Sequence, residues 1–282
     1  MKCGAVIFAQ NNSAIDYVKM AAFAATRIDK FLKIPISVVT DSKSWLLENH
    51  PDHVFEQVIE IPASAAFHTR RFNDGSLSSK ILDWKNMSRS QVYELSPYDR
   101  TLVIDSDYII NSSVLAGALT HDANLQIYKD SLDISNWRTN KEYLRINPYS
   151  IPFYWATTFI FEKNPVMKTF FDLIEYIKLN WNYFRTLYSI ESPTFRNDFA
   201  FSIAIHIMNG KTNGTFADAL PGKMTYSTDR DILVTMDDTV LKFLVEKQDY
   251  LGEYTAAKTS GIDMHVMNKA SLSRFIDGGT GV

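Results

Sequence analysis

Cys3 is the single cysteine among 282 residues. A lone thiol excludes disulfides within the chain and cysteine-rich zinc sites, and leaves Cys3 as a small buried hydrophobe. Charge of one sign is also missing. Against 29 basic residues stand 32 acidic ones, a formal net charge of -3, so no global basic field marks a dedicated DNA-binding module, although a local basic patch can still form. Long apolar runs are absent as well: the N-terminal MKCGAVIFAQNN holds only about six apolar residues before it turns polar, too few for a signal segment or a membrane span. The expectation is an intracellular, cytoplasmic protein. No repeat, low-complexity tract or linker divides the chain, so one domain is expected over residues 1–282, with α/β alternation giving way to a mixed pattern after about Asn111.

What is present suits a large core, with 46% hydrophobic and 13% aromatic residues. GAVIFA has the compact apolar look of a buried strand, IDYVKMAAFAATRIDKFL spaces its apolar residues at helical intervals, and IPISVVTD is a second buried strand. Strand, helix and strand make a parallel crossover unit, whose strand-end loops are where ligands bind. The pattern then predicts a helix at SKSWLLENH, a third strand at HVFEQVIEIP and a polar loop at AAFHTRRFNDGSL. An amphipathic helix over SSKILDWKNMSRSQVYEL follows, closed by Pro97, and then a fourth strand.

That last strand lies in RTLVIDSDYIIN. TLVI is apolar and β-branched, and the DSD that follows falls where the strand should leave the sheet. Alternation sends Asp105 and Asp107 to the same side. Two carboxylates converging at a strand end form a hard-oxygen pair suited to Mg²⁺ or Mn²⁺, with open positions for the phosphates of a nucleoside diphosphate. The bland reading of D-x-D is a turn, in which Asp and Ser are common.

The chain at this point resembles the GT-A glycosyltransferases, in particular the glycogenin-like and galactosyltransferase-like enzymes with a D-x-D after a buried strand. The likeness runs in order through AVIFAQNN, VVTD, SSKILDWKN, SPYDRTLVIDSDYII, WATTFIFEK, RNDFAFSIAI and MHVMNK. It implies the GT-A nucleotide-diphospho-sugar transferase fold, an α/β architecture with a Rossmann-like mixed central sheet flanked by helices. Residues 1–111 would form the nucleotide-sugar-binding half and 112–282 the half that completes the metal and acceptor sites. It implies Mn²⁺ or Mg²⁺ held by Asp105, Asp107 and His265, a nucleotide-sugar donor, most simply a UDP-sugar, and Lys269 against the departing phosphate. The family often has glycine after the histidine, where this chain has Met267 and Asn268. Taken without the family, His265 reads as an ordinary histidine with a satisfied hydrogen bond, and Lys269 as a charge at a solvated helix start.

Asn11, in the first strand-to-helix turn, is expected at base or ribose. Asp41 either holds ribose hydroxyls or caps the following helix, and Lys80 either approaches the donor or is a solvated helix charge. Asn197 and Asp198 begin a strongly apolar helix, where a carboxylate is also the usual cap; the resemblance aims them at the sugar and acceptor, with Asp198 as base or positioning carboxylate. Trp155 to Thr158 align with family positions near the sugar, whereas Trp137 and Trp181 are either core or an acceptor platform. Retention and inversion are not separable.

The acceptor is open among protein, polysaccharide, lipopolysaccharide and DNA. Arg70, Arg71, Lys80, Arg138, Lys141, Arg145, Arg185 and Arg196 lie in segments that the crossover topology brings towards the strand-end face, and arginines interleaved with aromatics grip phosphates and stack bases. In general style the chain is similar to the glycosyltransferases of T4-like phages that modify 5-hydroxymethylcytosine in DNA, which would place it in the host cytoplasm. Two other classes compete. One is a haloacid-dehalogenase-type phosphatase or phosphotransferase, which normally carries its D-x-D on the first strand; the other is a non-catalytic nucleotide-binding protein.

Overall fold

The computed structural model describes residues 1–63, 68–85, 89–135 and 144–278. In chain order the first half contains β1 (Cys3–Phe8), α1 (Tyr17–Leu32), β2 (Ile36–Thr40), α2 (Lys43–Asn49), β3 (Gln57–Glu60), β4 (Thr69–Asp74), β5 (Ser78–Asp83), α3 (Val92–Leu95), β6 (Arg100–Asp105) and β7 (Tyr108–Ile109). The second half contains α4 (Val114–Ala118), β8 (Leu125–Tyr128), β9 (Ser131–Asp133), β10 (Trp155–Glu162), α5 (Pro165–Leu179), α6 (Trp181–Leu187) and α7 (Asn197–Met208). It closes with β11 (Asp218–Ala219), β12 (Met224–Ser227), β13 (Ile232–Asp237), β14 (Val240–Glu246), β15 (Tyr254–Ser260), β16 (Met264–Val266) and α8 (Lys269–Ile276).

A seven-stranded sheet in the order β11-β8-β10-β6-β1-β2-β3 forms the centre of a mixed α/β fold flanked by helices. β1, β2, β3 and β6 run parallel, and β10 runs antiparallel to both β6 and β8. The apolar runs explain the placement: every residue of β2 is buried, as are Arg100 to Ile104 of β6, as expected of strands covered on both faces. α1 packs on β1 and β2, α7 on β10, and α5 on α7. Asp16 caps α1 by accepting from the Lys19 amide at 2.9 Å. No helix of the described residues is long and apolar enough to cross a membrane.

The chain leaves β1 on one side for β2 and β3 and returns on the other side for β6. A crevice therefore opens between the C-terminal ends of β1 and β6, where Phe8 pairs in register with Asp105. A smaller sheet, β7-β16-β12-β9, borders this crevice, and an antiparallel meander, β13-β14-β15, packs with α8 over a second apolar core that includes Leu233, Phe243 and Leu272.

One expected element is overturned. The helix expected over Ser78–Leu95 is instead the strand β5, a 3-10 turn at Arg89–Gln91 and the one-turn helix α3. β5 pairs antiparallel with β4, whose residues were expected to be loop, in the register Phe72 with Lys80. The local spacing of Ile81, Leu82 and Trp84 is compatible with a helix, but the hairpin wins because Phe72, Leu82 and Trp84 find a ready apolar surface in the second core. Asp74-Gly75 is the signal that was present for it: Gly75 takes φ of 72°, the left-handed geometry a tight hairpin connection needs. With these two strands inserted, the strand ending at Asp105 is the sixth among the described residues.

Candidate active site

Asp105 is the last residue of β6 and Asp107 lies two residues beyond it, at the crevice. Pairing of β7 with β16, in which Tyr108 opposes His265, carries the imidazole across 158 positions of sequence to Asp107. His265 Nε2 lies 3.2 Å from Asp107 Oδ2, and the Val266 amide donates to the Asp107 carbonyl at 2.9 Å. One ligand atom from each of Asp105, Asp107 and His265 lies within 4.8 Å of the others. Two carboxylates and an imidazole are a donor set that fits Mn²⁺ or Mg²⁺. The other ring nitrogen, Nδ1, is buried without a hydrogen-bond partner among the described residues, so nothing on that side ties the ring to one tautomer.

Cations already meet these carboxylates. Lys269 Nζ, at the first position of α8, donates to Asp107 Oδ2 at 2.6 Å, and the Arg89 guanidinium pairs with Asp105 and donates to the Ala156 carbonyl. Burial alone would push the Asp107 carboxyl up, but Lys269 and then His265 outweigh it and hold the group far below the usual carboxylate range. Burial also lowers the Arg89 guanidinium to about 10, against the opposing pull of Asp198 and Asp107. Tyr17, which begins α1, has its hydroxyl pushed well up, first by burial and then by the charge of Asp107, while Arg70 pulls the other way.

These groups line a cavity of about 390 Å³, a size suited to a small ligand. Asp198, in the first turn of α7, accepts from the Ala156 amide at 2.9 Å and from Arg196 Nη2 at 2.7 Å. The carboxylate thus ties the start of α7 to β10 and still faces the cavity, as do Asn197, Trp155 and Thr157. Trp181, by contrast, is buried and donates its indole N–H to the Pro193 carbonyl at 2.9 Å, a core role; Trp137 lies outside the described residues.

Of the residues expected from the sequence, Asp105, Asp107, His265, Lys269, Asn197 and Asp198 meet around this one cavity. Asn11 does not line it: its side chain accepts from the Val18 amide at 3.0 Å, and the adjacent Gln10 faces the cavity instead. Asp41 is covered, with its carboxylate taken by Lys85 Nζ at 2.8 Å, and the residue that precedes α2 as cap is Ser42. Lys80 is exposed on β5 rather than on a helix, and the basic residue that this segment turns into the cavity is Lys85. Arg89, Lys85 and Tyr17 carry no local signal of a site, because Arg89 lies in a 3-10 turn, Lys85 follows β5 and Tyr17 begins α1, places where the local pattern does not encode side-chain direction.

No protein-family model matches the chain, and no curated protein matches it. Among solved structures the fold is similar to the glycosyltransferase GlyE of Streptococcus pneumoniae TIGR4, with 11% identity, a TM-score of 0.46 and coverage of 78% of this chain and 46% of that one. It is also similar to the galactosyltransferase LgtC, in complex with donor and acceptor sugar analogs, with 11% identity, a TM-score of 0.42 and coverage of 77% and 72%. A third is the bifunctional IspDF from Campylobacter jejuni, with 12% identity, a TM-score of 0.39 and coverage of 79% and 50%. The chain spans about half the length of the first and third of these proteins.

Proposed function

We propose that this protein is a metal-dependent glycosyltransferase of the GT-A type, moving a sugar from a nucleotide-sugar donor, most simply a UDP-sugar, to an acceptor hydroxyl. The observation that carries the reading is the convergence of Asp105, Asp107, His265 and Lys269 at the β1–β6 crevice, in one cavity with Asn197 and Asp198. Transfer breaks the bond between the anomeric carbon and the diphosphate, so the departing oxygen gains negative charge. A bound Mn²⁺ or Mg²⁺ would supply Lewis-acid neutralisation of that charge. Lys269 contributes an ammonium beside the same carboxylate, held by Asp107 where it can turn to a phosphate oxygen. Asn197 and Asp198 offer hydrogen bonds to sugar hydroxyls, with Asp198 kept in place by Ala156 and Arg196.

For the acceptor, the finer reading is hydroxymethylated DNA. What supports it is the exposure of Arg71 and Lys80 on the hairpin whose Thr69 and Arg70 line the cavity. Arg70 and Arg196 line the cavity itself, Arg145 and Arg185 donate to nearby carbonyls, and Arg138 and Lys141 lie outside the described residues.

Labelled nucleotide sugars offered with hydroxymethylcytosine DNA, unmodified DNA, oligosaccharide, lipopolysaccharide and protein acceptors test both levels. Label on hydroxymethylated DNA alone supports the finer reading, and label on a glycan or protein alone removes it. His265→Ala should weaken Mn²⁺ binding and transfer together, with partial recovery at high metal concentration. Metal-independent binding of nucleoside diphosphates, with no transfer from any donor, would overturn the glycosyltransferase reading.

A further inference from the structure

Two neighbouring arginines of β4 differ in their relation to the cavity. Thr69, Arg70 and Arg71 are all exposed, but Arg70 and Thr69 line the cavity and Arg71 does not. The Arg70 guanidinium carbon lies 5.5 Å from the centre of the Phe72 ring and 5.4 Å from that of Trp84. Guanidinium stacked on aromatic rings keeps its N–H edge free to donate while its position is restrained.

The charges of the cavity are otherwise matched. Asp105 meets Arg89, Asp107 meets Lys269 and His265, Asp198 meets Arg196, and Lys85 is taken by Asp41. Arg70 pairs with no carboxylate among the described residues, which makes it the cavity's uncompensated cation. It also sits on the side of the metal-competent cluster. Lys269 Nζ lies 6.0 Å from the same Phe72 ring, and Tyr17 feels the charges of both Asp107 and Arg70. Two cations flanking one ring suit a ligand carrying at least two negative charges close together.

The hairpin that carries Arg70 is pinned rather than loose. Arg274 of α8 donates to both oxygens of Asp74 at 2.6 and 2.8 Å, Asn73 donates to Asp229 at 3.0 Å, and the Ser76 and Tyr254 hydroxyls meet at 2.6 Å. The first of these links ties the strand of Arg70 to the helix of Lys269. The backbone elements that carry the two cations are therefore tied together before any ligand arrives, which reduces the ordering cost of binding.

From this arrangement, and resting on the glycosyltransferase reading above, we propose that Arg70 is a donor-diphosphate ligand, a second protein cation beside Lys269, and not part of an acceptor surface shared with Arg71. Its role is recognition of the phosphates, with the bidentate edge of the guanidinium matching two phosphate oxygens.

Calorimetry at saturating Mn²⁺ with UDP, GDP, ADP and CDP, each with its parent nucleoside, tests the assignment on wild type, Arg70→Gln, Arg70→Lys and Arg71→Gln. Arg70 is solvent-accessible, so its variants should fold, and circular dichroism checks this. For the diphosphate that wild type binds, Arg70→Gln should lose roughly ten- to a hundredfold in affinity, as for a lost hydrogen bond to a charged group. Arg70→Lys should retain part of it, Arg71→Gln all of it, and nucleoside binding should stay level throughout. Diphosphate affinity unchanged in Arg70→Gln, or lowered equally in Arg71→Gln, overturns the Arg70 assignment alone. A wild type that binds no nucleoside diphosphate with metal overturns both this assignment and the reading beneath it.

Discussion

The Asp107–Lys269 pair invites a double-mutant cycle. Its atoms are 2.6 Å apart, and the two side chains keep only 5% and 13% of their surface exposed. At an effective dielectric of about 20 the Coulomb attraction across that distance is about 6 kcal/mol, most of it offset by the cost of taking both charges out of water. The net worth of the pair is therefore small, but removing one partner strands the other. Asp107→Asn leaves a covered ammonium with a neutral amide and should cost about 3–5 kcal/mol. Lys269→Met leaves the carboxylate with His265 as remaining partner, 3.2 Å away, which puts its cost towards the lower end of that range. The double variant strands neither charge, so its cost should fall well short of the sum, with a coupling of about 2–3 kcal/mol. Equilibrium urea unfolding of the four proteins without divalent metal measures this through the midpoints at constant slope. Additivity within about 0.5 kcal/mol would refute the reasoning, because it would mean that water already screens the pair.

Two further outcomes follow from packing and from pH. A methyl group added at Gly4 would sit 2.4 Å from the Tyr98 ring, which is buried and anchored by its hydroxyl to Ser37 at 2.8 Å; Gly4→Ala should therefore destabilise by about 1–3 kcal/mol, and an unshifted melting temperature would show that the ring can retreat. The Arg274 hydrogen bonds hold the Asp74 carboxyl below its ordinary value. A depressed carboxylate contributes fully above its unfolded value of about 3.9 and loses that contribution as the pH falls towards the folded value. The stability gap between wild type and Asp74→Asn, about 1–2 kcal/mol at pH 7 for a partly exposed charged pair, should thus narrow below about pH 4. A gap that stays constant down to about pH 3 in urea titrations contradicts this.

The parallel half of the fold was legible because its signals are local and strong. GAVIFA, ISVVT and TLVI are apolar runs too short for helices, and Tyr17–Leu32 carries a helical apolar stripe. The β4–β5 hairpin was read wrongly because Ser78–Leu95 carries a helical spacing that only the second core overrides, a case of tertiary packing outweighing local pattern. Within the candidate site, Asp105 and Asp107 stood out because they close an apolar β-branched run; Asp105 ends β6 and Asp107 lies in the turn after it, where the two carboxylates converge with His265.

Sequence alone thus determined the sheet-forming runs, the crossover that opens a crevice at the ends of β1 and β6, and the pair of carboxylates at its edge, since each depends on residues within a few positions of one another. Tertiary structure alone decided which cations meet those carboxylates. Lys269 reaches Asp107 across 162 positions through α8, Arg89 reaches Asp105 from a 3-10 turn, and Arg70 and Arg71 part company because a hairpin took the place of a loop. Side-chain direction at a turn or hairpin is set by what the backbone packs against, and that surface is built from distant parts of the chain.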